Sequence, residues 1–263
     1  MENKKPSREL SIGEIITQTF TLYSRDFTQY LVPFIVAGAI VGLWTMGLTA
    51  VIIVPTFSSP MTPDQFLARL PGYLAAVLTL AFLTAIVAWI IGYVAQGIAV
   101  KFTSDKLEKG QANLQVGFNF TISKLLSLLA VSIITGILIF VGILALIIPG
   151  IILAIMFSLV VPTIIIEDMG ALESLSRSRR LVSHRWLKTF ALLLVLTLIM
   201  GVAAYIAGLI GALFGLAGTF VTNILTAFVQ PILPIGLTLY YYSMIARTTP
   251  KVQAQPQQPA TMS

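Results

Sequence analysis

The sequence predicts an all-α integral membrane protein: six transmembrane helices as three hairpins, with amphipathic interfacial helices before spans one, three and five. Three observations predict it. Only 10% of the 263 residues are charged while 57% are hydrophobic, and a soluble domain carries about 25% charge to cover its surface. The apolar residues come in blocks long enough to cross a bilayer. The basic residues collect on one side of those blocks.

Residues 1–30 form the first element, a cytoplasmic amphipathic segment. In IGEIITQTFTLYSRDFTQYL, residues Ile15, Ile16, Phe20, Phe27 and Leu31 recur near helical spacing, so the segment reads as a helix feeding straight into the first span. No small-residue cleavage pattern accompanies it, so no signal peptide is expected. The membrane domain, 31–246, holds the apolar blocks Leu31–Val54, Tyr73–Val100, Leu125–Ile148, Gly150–Ile166, Leu187–Phe214 and Phe220–Met244. A helix of about 20 residues spans the hydrocarbon, within roughly 17–25; five blocks exceed that and the fourth is at the short limit. The tail, 247–263, contains PQQPA and too little apolar content to fold, so it is expected to be disordered and cytoplasmic.

Orientation follows from the cations. Lys4, Lys5, Arg8 and Arg25 precede span one, Lys101 to Lys124 lie between spans two and three, Arg177 to Lys188 between four and five, and Arg247 and Lys251 after six. Only Arg69 falls on the other side, which predicts a cell-membrane protein with both termini cytoplasmic. Tight outer turns are expected at Pro149-Gly150 and Gly215–Thr219. In the one long outer connection, Val54–Tyr73, Thr62 as N-cap and Pro63 at the first helical position predict a short interfacial helix ending near Leu70.

A threefold pattern runs through the chain. Aligning Ser24-Arg25, Ser123-Lys124 and Ser183-His184 brings Phe27, Leu126 and Trp186 into register, each three residues beyond its serine. Repeats of roughly 9–101, 111–167 and 170–246 result. A basic anchor and an interfacial aromatic before any re-entering hairpin explain the same pattern.

The third junction, IIIEDMGALESLSRSRRLVSHRWLKTF, is the most charged. As one helix from Gly170 it puts Ala171, Leu172, Leu175, Val182 and Trp186 on one face, with Glu173, Ser176, Arg177, Arg180 and His184 opposite. Arg179 falls on the apolar face and must snorkel or pair, with Glu167 and Asp168 the nearest acids and Arg177 the competing partner for Glu167. Glu167, Asp168, Arg177, Ser178 and Arg179 thus form a candidate structural or headgroup-binding site. Acids and arginines at this place also serve simply as topological anchors. His184 has no ligand partners, and the absence of cysteine excludes thiol chemistry.

Two segments resemble a known family. The order Pro162…Glu167, Ala171-Leu172…Arg177-Ser178…Leu181, Trp186, with LSIGEIITQTFTLYSRDF at the front, is similar to a family of uncharacterised six-span membrane proteins of archaea and bacteria. In some bacteria that membrane domain is joined to a glycerophosphodiester phosphodiesterase domain. The chain has no room for that barrel and none of its acidic metal-binding residues. The resemblance therefore implies the helical membrane fold, not the activity.

Inside the spans no Asp, Glu, His, Lys or Arg lies deep, which counts against ion-coupled transport and intramembrane catalysis alike. The intramembrane polar candidates are Asn223 and Gln230, the latter beside Pro231 at an expected mid-membrane kink, with Gln96 near the inner end of span two. They either line a cavity or hydrogen-bond helix to helix. Gly201, Gly208, Gly211 and Gly215 are expected to mark a close-packing face. No catalytic, metal or cofactor residue is predicted, and the divided positive charge is unlike a nucleic-acid surface. The favoured reading is a non-enzymatic multi-pass protein interacting with membrane lipids, above all anionic headgroups on the cytoplasmic side, or with a membrane-protein partner or another copy of itself. A carrier or channel for a neutral or amphiphilic solute, such as a lipid, is the alternative. An enzyme acting on lipid headgroups at Glu167/Asp168 is the third.

Overall fold

The computed structural model describes residues 5–53 and 61–248; the loop tip and the tail beyond 248 lie outside them. Of the described residues 88% are helical, and none is in a strand. By length and composition five helical stretches are able to cross a membrane: Phe27–Ile52, Pro63–Lys109, Leu125–Ala145, Ile147–Glu167 and Trp186–Thr248. The last, 63 residues long, folds back on itself. Gly215 takes φ 55 inside a tight 3-10 turn over Ala212–Ala217. Gly211 and Gly218 then meet so closely that a Cβ on Gly218 would stand 2.4 Å from the Gly211 carbonyl.

The helices are α1 (Ile12–Arg25), α2 (Phe27–Leu48), α3 (Pro63–Lys109), α4 (Leu114–Ser123), α5 (Leu125–Ala145), α6 (Ile147–Met156), α7 (Val160–Glu167), α8 (Ala171–Val182), α9 (Trp186–Gly211), α10 (Gly218–Ala227) and α11 (Ile232–Thr248). The three amphipathic helices α1, α4 and α8 start on identifiable caps. Ser11 and Glu14 form a reciprocal capping box, Asn113 Oδ1 accepts from the Gln115 and Val116 N–H groups, and Glu173 accepts from the Gly170 N–H. None runs straight into the next helix, contrary to expectation. The chain breaks at Asp26, at Lys124 and at Ser183–Arg185, where His184 takes φ 64. These breaks coincide with the aligned serine–basic pairs, so that pattern marks corners between helices.

Other boundaries also differ from expectation. Thr62 and Pro63 do start a helix, but it continues through Pro71 for 47 residues to Lys109, roughly 70 Å. Proline costs one hydrogen bond and a clash and kinks a helix without having to end it. The reversal expected at Pro149-Gly150 lies earlier, at extended Leu146, because proline fits within the first turn of α6. Of the glycines expected to pack, Gly211 does so while Gly201 and Gly208 face open space; further close approaches lie at Gly38 and Gly42, where a Cβ would meet the Asn223 carbonyl oxygen at 2.7 Å and the Phe220 ring at 2.9 Å. These two glycines let α10 lie directly on α2.

Packing follows a circular order: α4 lies on α3, α8 on α7, and α1 on α11. α11 is the centre, with Ile235, Thr238, Leu239, Tyr240, Tyr241, Ser243 and Met244 all but fully buried. The core clusters around it, in the half of the molecule that also contains α1, α8 and the end of α3. The other half, including most of α5 and the far end of α9, presents its leucines, isoleucines and phenylalanines outward.

Candidate functional site

Successive residues on a helix point about 100° apart, and the triplet Tyr240-Tyr241-Tyr242 uses this to reach three neighbours. The Tyr240 hydroxyl pairs with Thr189 on α9 at 2.6 Å, Tyr241 donates to Glu167 at the end of α7 at 2.6 Å, and Tyr242 donates to Glu108 on α3 at 2.8 Å while meeting Ser104 at 2.7 Å. Nearby, Thr103 donates to the buried Tyr30 hydroxyl at 3.1 Å. One end of the bundle is thus tied by hydroxyls through α11.

Around this hub the charges are paired. Glu167 accepts the Arg177 Nε on both oxygens, at 2.8 and 2.9 Å. Asp168, in left-handed backbone, takes Lys124 at 2.5 Å. Lys106 meets Asp26 at 2.7 Å, and Glu9 meets Arg185 at 2.9 Å and Lys188 at 2.6 Å. The Arg185 hydrogen bond, aided by Lys188, holds the Glu9 carboxyl down to about 2. Three of these pairs join the corner after an amphipathic helix to the stretch leading into another: Asp26 to Lys106 before α4, Lys124 to Asp168 before α8, Arg185 to Glu9 before α1. The segment before α1 completes the ring, since Lys5 bonds Glu108 at 2.6 Å and the Leu10 N–H donates to Ser243 Oγ at 2.8 Å. The two ends of the described chain therefore meet on this face.

The candidate residues separate here. Glu167 and Arg177 come together; Asp168 is turned toward Lys124. Ser178 is fully buried, donating to the Met156 carbonyl at 2.7 Å and accepting from the Leu159 N–H at 3.1 Å. It thereby satisfies the backbone at the break between α6 and α7. Arg179 is exposed and makes no ion pair among the described residues, as is Arg180. The buried face of α8 is Ser174, Ser178, Leu181 and Val182, not the apolar face expected, and Leu172 is 70% exposed. Specific hydroxyl contacts turned the helix about its axis, so Leu172 and Arg179, two turns apart, share an outer stripe.

Asn223 donates to the Thr219 carbonyl of its own helix at 2.8 Å. Gln230 lies in the break between α10 and α11, where the Phe228 carbonyl accepts from Tyr23 of α1 at 2.6 Å; burial pushes that tyrosine hydroxyl up to about 12. The break is thus at the level of α1, not midway along the bundle. A mostly apolar cavity of about 190 Å³ lies elsewhere, with Gln96, Thr135 and Ser158 among its lining residues. An apolar cleft of about 350 Å³ runs between α2, α3 and α4. Among the described residues no group of three His, Asp or Glu stands close enough to hold a metal ion. Sequence reasoning missed the tyrosine triplet, Glu9 and Glu108. The readable signal was three adjacent tyrosines closing a span.

Residues 26–248 match the model of a family described as a domain of unknown function, DUF7847. The chain belongs to the DUF7847 family. The match opens at Asp26, the corner after α1, and covers every apolar helix together with α4 and α8. No curated protein and no solved structure matches the chain.

Proposed function

We propose that this DUF7847 protein is a six-span, non-enzymatic membrane protein whose charged face lies on the cytoplasmic side and binds anionic lipid headgroups. The six crossings are three hairpins, α2 with α3, α5 with α6–α7, and α9 with α10–α11, each entered through an amphipathic helix in the headgroup layer. The fold-back at Gly215 supports counting the last stretch twice, and the Thr189–Tyr240 contact brings its two ends to one face. In this reading the relation to phosphodiesterase-associated membrane domains concerns the membrane fold alone.

The observation that carries the headgroup reading is the division of labour on α8. Arg177 faces inward to Glu167, while Arg179 and Arg180 remain exposed beside Leu172, with Trp186 and the 85% exposed Leu187 opening the next helix. Cations over apolar side chains at the hydrocarbon boundary suit an anionic leaflet, at about 1 kcal/mol per Lys or Arg. Glu167 and Asp168 each have a cationic partner and do not converge on a third acid, which supports binding over hydrolysis.

Native mass spectrometry in mild detergent tests it. Retained phosphatidylglycerol or another anionic phospholipid, lost from Arg179→Gln/Arg180→Gln, is the expected outcome. Equal retention of phosphatidylcholine, or no change in the double variant, removes the assignment.

A further inference from the structure

Pro162 lacks an N–H, so the Ser158 carbonyl one turn earlier loses its helical donor. The chain breaks there between α6 and α7, and Ser178 holds the break from outside. On the inner side of the break lies the 190 Å³ cavity, bounded by α3, α5, α7 and α11. This exceeds the roughly 150 Å³ that admits benzene to an engineered apolar cavity, and such apolar cavities stay dry. Here Tyr93, Gln96, Thr135 and Ser158 contribute polar groups, and no carboxylate, amine, guanidinium or imidazole is among the lining residues. Thr135 is the midpoint of α5, Leu125–Ala145, about 15 Å from either end. The cavity is therefore at mid-bundle depth, where an unpaired polar group is costly.

The hydrogen-bonding balance is uneven. Thr135 donates to the Val131 carbonyl at 2.8 Å and Ser158 to the Ile155 carbonyl at 2.9 Å, so both hydroxyls offer only lone pairs. The freed Ser158 carbonyl adds another acceptor. The Gln96 carboxamide has no hydrogen bond among the described residues and contributes both donor and acceptor. From this we propose that the cavity is a binding site for a small uncharged solute rich in N–H or O–H donors, a polyol or simple amide, held by Gln96, Thr135 and Ser158.

Because the chain has no cysteine, single thiols report on the cavity without background. The full chain is reconstituted in phosphatidylcholine vesicles as Ala154→Cys, which lines the cavity without holding the solute, and as Ile137→Cys, a control two residues from Thr135 whose side chain is 58% exposed on the outer surface. Thiols ionise and react where water reaches them and stay inert in hydrocarbon. Ala154→Cys should therefore take up neutral methyl methanethiosulfonate about ten-fold faster than the control and resist the trimethylammonium analogue. Urea or glycerol as probe should slow the neutral reaction about three-fold, and adding Gln96→Leu should abolish that protection, with an unchanged melting temperature as the folding control. Reaction no faster than at Ile137→Cys means a dry cavity and overturns the site. Reaction unprotected by either probe means water alone, and ready modification by the cation means no selection against charge; each overturns the proposal too. Lipid retention by the arginine stripe is read separately, so either proposal can fail without the other.

Discussion

Two stretches of similar greasiness behave oppositely. From Ile232 to Met244, α11 is almost wholly buried; from Leu198 to Leu216, the far end of α9 and the following turn are almost wholly exposed. Both are apolar enough to belong to one hydropathy-defined stretch. What separates them is hydroxyl content: Thr238, Tyr240, Tyr241, Tyr242 and Ser243 against Tyr205 alone. Leucine gains nothing from leaving lipid for protein, so spans associate through shape and hydrogen bonds. The half around the tyrosine triplet packs through hydroxyls and paired charges, the other half through a few glycine contacts.

The comparison can be broken at its root. Reporters fused after Val54 and at the carboxyl terminus should read opposite sides of the membrane; the same side for both would remove the assignment of the two halves to inner and outer sides. Next in size, Glu167→Ala leaves the Arg177 guanidinium and the Tyr241 hydroxyl without their acceptor, at about 3 kcal/mol for a largely buried pair. Thermal unfolding in detergent measures it, and a double cycle with Arg177→Ala should show coupling; additive effects would mean the pair contributes nothing jointly. At the α2–α10 contact, Gly38→Ala should cost about 1–3 kcal/mol by pushing α10 off α2, whereas Gly201→Ala should be neutral or stabilising by up to about 1 kcal/mol. Equal effects would erase the distinction between packed and lipid-facing glycines.

A smaller effect concerns acid. The Glu9 carboxyl is lowered in the folded state to about 2 from 4.5. Its contribution is present in full above the unfolded value and is lost as pH falls through that window. Midpoint stability of the natural chain should therefore drop from pH 4.5 toward 2 more steeply than that of Arg185→Gln, and parallel profiles would count against the pairing. Smallest for stability, Arg179→Gln and Arg180→Gln should each shift unfolding by under about 0.5 kcal/mol while weakening retention of anionic phospholipid in detergent about five-fold, the equivalent of 1 kcal/mol.

How much of this was legible follows from the same contrast. Helices and their membrane-compatible lengths are written in apolar runs, because hydrocarbon thickness acts on every residue alike; the corners at Asp26, Lys124 and His184 are not, since the serine–basic pairs mark an anchor equally well in a straight helix. The pairing of Glu167 with Arg177 was one of two options on the page. Which face of α8 turned inward was not legible: Ser178 seeks backbone groups freed 22 residues earlier, and helical periodicity carries no knowledge of a break elsewhere. Of the glycines expected to pack, Gly211 does and Gly201 and Gly208 do not, since small residues permit contact without naming a partner.

One contact has a consequence for biosynthesis. The Leu10 amide meets its Ser243 acceptor across 233 residues of chain. At about 5–20 residues per second, the start of the polypeptide waits roughly 12–47 s for its partner to leave the ribosome. Until then α1 has no α11 to lie on, and the ring stands open. A nascent chain halted before α11 would thus show its unfinished seam to the quality-control machinery, and α11 acts as the latch.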